Sequence, residues 1–379
     1  MASKSLSIFV HNFLLPFMFG LSVGIIIIST YSYRFNTFSF PSIFSPLHSS
    51  LPTNSSDPPP QPPSLPLNAS MKLDEKKSLE PHNMTDDELL RLAAAASSSS
   101  AAKTFIKDVA KVAFMFLTPG PLPLAPLWEK FFEGHQHLFS IYIHAHPSYN
   151  HSFPDTSVFF RRTIPSQAVF WGTLSMIDAE RRLLANALLD LSNQRFVLLS
   201  DSCIPLFNFT TTYHYLMAST LSFLQSYDDP SKAARGRYSP RMAPTITVQQ
   251  WRKGSQWFEI RRDLAEKIVS DQIYYPVFRD HCLPPCYSDE HYLPTLVNIL
   301  WPDASSNRSV TWVDWSLGGP HPRRFGWIDV KLEVLDNIRF GGDECVYNGN
   351  TTRICFLFAR KFLPNTADPL LRLSPSLLV

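Results

Sequence analysis

From about residue 105 onward, short apolar runs alternate with amphipathic stretches, and that alternation leaves few folds open to the chain. Residues 112–117 (VAFMFL), 139–144 (FSIYIH), 158–160 and 196–199 (FVLL) have the unbroken apolar character of strands buried on both faces. Between the last two, 175–191 (SMIDAERRLLANALLDL) places Met176, Ala179, Leu183, Leu184 and Leu188 on one helical face. Strands and helices in this order predict an α/β domain: a mostly parallel, Rossmann-like sheet flanked by helices, with right-handed crossovers. Such sheets bind ligands beyond the carboxyl ends of their strands. Aromatic residues are 13% of the chain, enough to fill a large core. With 34 basic against 32 acidic side chains the net charge is only +2, which excludes the basic footprint of a nucleic-acid binder.

The region before residue 105 is built differently. No charged residue occurs between Lys4 and Arg34, and 13–33 gives 21 mostly apolar positions, the length of a membrane-spanning helix. A cleaved signal peptide is the alternative, but no Ala-x-Ala pattern follows the apolar run. Asn54, Asn68, Asn83, Asn150, Asn208, Asn307 and Asn350 each begin an Asn-x-Ser/Thr triplet, and all seven follow the apolar run. That one-sidedness predicts a cytosolic tail at 1–12, a signal-anchor at 13–33 and everything beyond it luminal. Nine prolines between Pro41 and Pro66 make an extended spacer. Thr85 and Glu88 match a capping box for a short helix from Asp86, and the Ala/Ser run at 93–100 closes a stem assigned to 34–104. The globular domain is assigned to 105–379.

A luminal α/β domain behind a stem suggests sugar transfer from a nucleotide donor. Many such enzymes hold a divalent metal with Asp-x-Asp at a strand end, and no Asp-x-Asp occurs here. Asp201, in Ser200-Asp201-Ser202-Cys203 after the FVLL run, stands where one would sit, but one carboxylate is a poor site for a hard cation. Fixed cations must then neutralise the leaving diphosphate, and Arg360 and Lys361, after an expected strand at 354–358, are suited to it, as is Arg353. The bland reading of all three is a solvated basic strand end. Asp289 and Glu290 open a helical stretch with Ser288 as its N-cap. They serve either the helix dipole or as a general base for an acceptor hydroxyl, and α-helical geometry lets only one face a cleft. Cys203, Cys282, Cys286, Cys345 and Cys355 favour disulfides with one thiol left over; Cys345 and Cys355 flank the hairpin signal Asn348-Gly349. A zinc site from His281, Cys282, Cys286 and His291 is the weaker alternative.

These blocks form a familiar series: Phe170-Trp171-Gly172-Thr173, Asp178-Ala179-Glu180, Ser200-Asp201-Ser202-Cys203-Ile204-Pro205, Gly236-Arg237-Tyr238, Gly254-Ser255-Gln256-Trp257, Asp289-Glu290-His291-Tyr292 and Phe358-Ala359-Arg360-Lys361-Phe362. From about Lys111 to Leu371 the chain resembles the plant branch of the core-2/I-branching β-1,6-N-acetylglucosaminyltransferases, glycosyltransferase family 14. The resemblance implies a GT-A-like fold, a Golgi type II membrane protein, and inverting transfer from a UDP-sugar without a metal or other cofactor. It places Glu290 as general base and Lys361 on the diphosphate, with Arg339 or Arg353 as partner arginine. Trp312 takes the place of an acceptor-stacking tryptophan, and Asp314 stands where an aromatic follows it. His146 replaces an aspartate that helps hold uridine. The family includes members that transfer N-acetylglucosamine, xylose and glucuronic acid. Expected partners are the nucleotide-sugar donor, a cell-wall or glycoprotein glycan and the membrane, with self-association left open. The competing reading is a carbohydrate-binding or scaffolding relative without turnover, and retention of Glu290 and Lys361 favours the enzyme.

Overall fold

The computed structural model describes residues 83–98, 109–342 and 344–378. The expected span at 13–33, the proline-rich spacer, Asn54 and Asn68 lie outside them. Among the described residues no helix is long and apolar enough to cross a membrane.

The main sheet has the order β2-β1-β3-β5, from Phe139–His144, Lys111–Leu117, Asn193–Ser200 and Glu259–Arg261. The first three strands are mutually parallel and β5 is an antiparallel edge. Successive side chains of a strand leave on opposite faces, and here both faces are covered. Val112, Phe114 and Phe116 enter one core with Ile141, Ile143, Val197 and Leu199. Ala113, Met115 and Leu117 enter the other with Tyr142, Phe196 and Leu198. This double burial is why the strand sequences read as unbroken apolar runs.

Helix α2 (Ala125–Phe132), started by a proline in its first turn, covers the first face. Its Trp128, Phe131 and Phe132 meet Phe114 with ring centroids 6.3, 5.8 and 4.9 Å away, all edge-on. Each such ring taken out of water contributes about 1.5–3 kcal/mol. Helix α3 (Ser175–Leu188) covers the second face with Ile177, Ala179, Leu183, Leu184 and Leu188, four of which are on the expected apolar face.

Three local expectations are corrected. Residues 158–160 form a turn, not a strand: Ser157 N–H bonds Pro154 O, Arg161 takes a left-handed φ of 52°, and Phe159 reaches the core from that turn. The strand expected at 354–358 is Phe358–Arg360 (β9), paired to both Ile204–Pro205 (β4) and Thr311–Val313 (β6), so Arg360 ends the strand rather than following it. Helix α1 (Asp86–Ser98), within the segment assigned to the stem, packs on α3 and on α5 (Arg262–Val269). The capping box forms, with Thr85 N–H on Glu88 Oε2 at 2.8 Å and Glu88 N–H on Thr85 Oγ1 at 3.3 Å. Leu89 and Ala93 are buried in the second core, and Asp86 accepts from buried Arg182 at 2.7 and 2.5 Å.

Both cysteine pairs bond locally: Cys282 to Cys286, and Cys345 to Cys355 behind the hairpin β7–β8 (Cys345–Tyr347, Asn350–Thr352), leaving Cys203 free and buried. Asn348 and Gly349, with φ 48° and 80°, make the turn that the sequence signalled. The zinc alternative fails because its two thiols are bonded to each other and His291 is buried, stacked 4.5 Å from Trp251. Asn83, Asn150, Asn307 and Asn350 are exposed. Asn208 is half-buried and caps helix α4 (Phe209–Ala218), its Oδ1 accepting from Thr211 N–H at 2.8 Å.

Candidate active site

Parallel strands end together, and their carboxyl ends open into a cavity of about 660 Å³. β1 contributes Leu117 and then Thr118, β2 His144, and β3 Ser200 and then Asp201. β9, which runs parallel to β6 in the second sheet, contributes Arg360 and then Lys361. These residues bring the expected Asp201, Arg360 and Lys361 to one place.

Two cations dominate this corner. Arg360 lies flat against Trp257, 4.0 Å from the ring centroid, with its Nε buried and without a hydrogen-bond partner. Burial pulls its pKa down, against the charge of Asp201. Burial also lowers Lys361, helped by the like charges of Arg360 and Arg324. The carboxyl of Asp201 is pushed up by burial, with Arg360 and Lys361 opposing. Among the described residues no carboxylate lies within ion-pair distance of Arg360 or Lys361. The corner is therefore preorganised for an anion.

The opposite charge pattern surrounds Asp289 and Glu290. Tyr287 takes a left-handed φ of 53°, and Ser288–Glu290 form a 3-10 turn before helix α7 (Tyr292–Leu300). Ser288 does not cap that helix, whose N-cap position is His291; the Ser288 hydroxyl instead donates to Thr173 O at 3.0 Å. The expectation that only one carboxylate would face the cleft is corrected: both residues line it, from a 3-10 turn rather than an α-helical one. Glu290 Oε2 accepts from Arg237 at 2.6 Å and also from Lys253, while Oε1 carries no bond to any described residue. Burial would raise this carboxyl, but the Lys253 bond and the charges of Lys253 and Arg237 outweigh it and hold it below its ordinary value. Lys253 is placed by a close backbone approach at Gly254, where a Cβ would fall 2.1 Å from Gln225 O. Gly254 N–H bonds Glu290 O at 2.9 Å, locking the two segments together.

Asp289 is the contrast. Its Oδ1 is buried without a partner, and burial first, then the Glu290 charge, push the carboxyl up to about 6. Nearby Glu180 is also raised by burial and accepts from Gln256 at 2.9 Å. His144 is buried with Nε2 2.8 Å from an Arg182 nitrogen, and burial and that charge lower it to about 4. It is neutral at physiological pH, and the chain Asp86, Arg182, His144 ties α1 to the floor of the cleft. His146 also lines the cavity, its Nδ1 2.7 Å from Ser148 Oγ.

Other expected residues lie elsewhere. Arg339, on helix α8 (Leu332–Phe340), pairs with Asp336 at 3.2 Å and stacks on Phe207. Arg353 is exposed and donates to Phe340 O. Neither lines the cavity. Trp312 tilts onto Phe325 at 5.9 Å and packs against the first core, whereas Val313, the next residue of β6, faces the cleft. Asp314 bonds Ser316 N–H at 2.8 Å and pairs with Arg323 at 3.8 Å, outside the cavity lining. Trp171, Trp257 and Trp315 are the tryptophans that line the cavity. Sequence reasoning missed Arg237 and Lys253, which lie 53 and 37 residues from Glu290. Their one signal was position, inside or beside the blocks at Gly236-Arg237-Tyr238 and Gly254-Ser255-Gln256-Trp257.

Comparison with known proteins shows the family. The chain is 38% identical over 310 residues to "Glycosyltransferase BC10" of Oryza sativa subsp. japonica, covering 70% of this chain and 77% of the relative. Residues 112–339, which hold the three parallel strands, Asp201, Arg237, Lys253, Asp289 and Glu290, match the family described as Core-2/I-Branching enzyme. The chain belongs to the core-2/I-branching enzyme family and is a glycosyltransferase.

Proposed function

We propose that this glycosyltransferase is a single-pass type II protein of the Golgi membrane with a GT-A-like luminal domain. It transfers N-acetylglucosamine, xylose or glucuronic acid from a UDP-sugar to a cell-wall or glycoprotein glycan, with inversion and without a metal. The observation that carries this reading is the cleft's division of charge: Arg360 and Lys361 without ion-pair partners in one corner, and a carboxylate with one free oxygen at Glu290.

In the reaction Glu290 Oε1 takes the proton of the acceptor hydroxyl while that oxygen bonds to the anomeric carbon of the donor. The bond from that carbon to the UDP oxygen breaks, and its electron pair leaves with the diphosphate. Arg360 and Lys361 offset the new negative charge without reorganising. Arg237 and Lys253 hold Oε2 and so orient Oε1. Asp201 stands alone among cations, a donor set unsuited to a hard divalent ion.

The test is transfer from UDP-sugars to glycan acceptors by the full-length protein in excess EDTA. Activity should persist undiminished. Loss in EDTA with recovery in manganese would overturn the metal-independent clamp.

A further inference from the structure

Two large aromatic side chains at the cleft are left facing water. Trp171 is 60% exposed and Trp315 52% exposed, and both line the cavity. An indole held open at a catalytic cleft is an unfilled binding surface, because its apolar face gains by leaving water.

Ring contacts hold the Trp171 side chain, and a backbone turn sets the position of Trp315. Trp171 lies edge-on to Tyr287 at 5.0 Å and 5.5 Å from His321. Tyr287 is backed by Gly172, whose left-handed φ of 76° disfavours any side chain and where a Cβ would press on the ring at 3.1 Å. Trp315 opens a tight turn closed by Gly318 N–H on Trp315 O at 2.9 Å. Gly318 and Gly319, both with positive φ, return the chain so that His321 reaches Trp171.

The connection runs on to the base. The Arg237 guanidinium sits 4.2 Å over the Tyr287 ring and donates to Glu290 at 2.6 Å. Trp171 is therefore joined to the Glu290 side of the cleft, where the acceptor must lie. The electron-rich indole faces suit the weakly positive C–H faces of pyranose rings.

We propose that Trp171 and Trp315 form an acceptor subsite for an extended glycan, gripping sugars beyond the one that receives the transferred residue. The inference rests on the transferase reading with Glu290 on the acceptor side.

The test is calorimetric binding of cellohexaose, xylohexaose and chitohexaose, their disaccharides, and UDP to the full-length protein and to Trp171→Ala and Trp315→Ala. At least one hexasaccharide should bind roughly tenfold tighter than its disaccharide. Each substitution should remove most of that advantage, leave UDP affinity unchanged, and leave the melting temperature near wild type, since both rings are exposed. Trp171→Phe should restore part of it. UDP binding with no hexasaccharide preference in the wild type would refute the subsite and spare the transferase reading. Loss of UDP affinity in the variants would assign the rings to the nucleotide and also refute it. Binding of neither UDP nor any glycan would bring down both readings.

Discussion

Asp289→Asn should stabilise the protein at neutral pH and do little near pH 4. Asp289 is 6% exposed, with one carboxylate oxygen buried and unpartnered. Burial first, then the charge of Glu290, raise it from 3.8 to about 6 against the opposing pull of Arg237 and Lys253. The folded chain thus binds this proton more tightly than the unfolded chain. Stability from that proton is complete below pH 3.8 and is lost as pH rises through about 6. The shift is roughly two units, or about 3 kcal/mol. Asn resembles the protonated acid at every pH, so the stability of the variant relative to wild type should grow by about that amount between about pH 3.5 and 7.5. For a domain of this size the gap in Tm should widen by roughly 5–10 °C. Glu180 is raised first by burial and in part by the Asp289 charge, so the substitution also relieves Glu180 and adds in the same direction at neutral pH. Thermal and urea unfolding at the two pH values read the effect. A pH-independent difference, or a variant less stable at neutral pH, would show that the buried carboxyl is not the source.

Lys361→Ala removes a charge-assisted phosphate contact, whose loss costs about 1.5–3 kcal/mol, so the apparent KM for donor should rise roughly tenfold to a hundredfold in initial-rate assays. An unchanged donor KM would remove Lys361 from the diphosphate site. Peptide N-glycosidase treatment of membranes carrying the protein should lower its apparent mass by several glycans, and an unshifted band would sink the luminal assignment. Asn83, Asn150, Asn307 and Asn350 are exposed, as attachment requires.

The sheet was legible where burial on both faces wrote an unbroken apolar run, as in β1, β2 and β3, and where a wide apolar face marked α3. Residues 158–160 deceived because an apolar triplet reports burial, and a turn can bury Phe159 as well as a strand can. α1 looked like stem because its Ala/Ser stretch carries little periodic signal, yet Leu89 and Ala93 pack closely on α3. At the site, Asp201 was readable from its place after the β3 run, whereas local context left Asp289 and Glu290 undecided and only the family resemblance singled out Glu290. Arg237 and Lys253 were not readable, because what joins them to Glu290 is a contact across dozens of residues. Trp312 was misplaced by one pleat of β6: its alternation sends Trp312 to the core and Val313 to the cleft. Arg339 and Arg353 entered through the family resemblance, and Arg353 also as a cation beside the expected 354–358 strand; in the structure Arg339 stacks on Phe207 and Arg353 is exposed.

In the proposed mechanism Glu290 is the general base, presented through Oε1 by two cations on Oε2. Glu290→Gln keeps the size of the side chain while removing the proton acceptor. Transfer by the full-length variant, measured beside UDP binding and unfolding, should fall by roughly 10²- to 10⁴-fold with UDP affinity nearly intact. A folded Glu290→Gln protein that transfers sugar at the wild-type rate would contradict the account and move the base to Asp289.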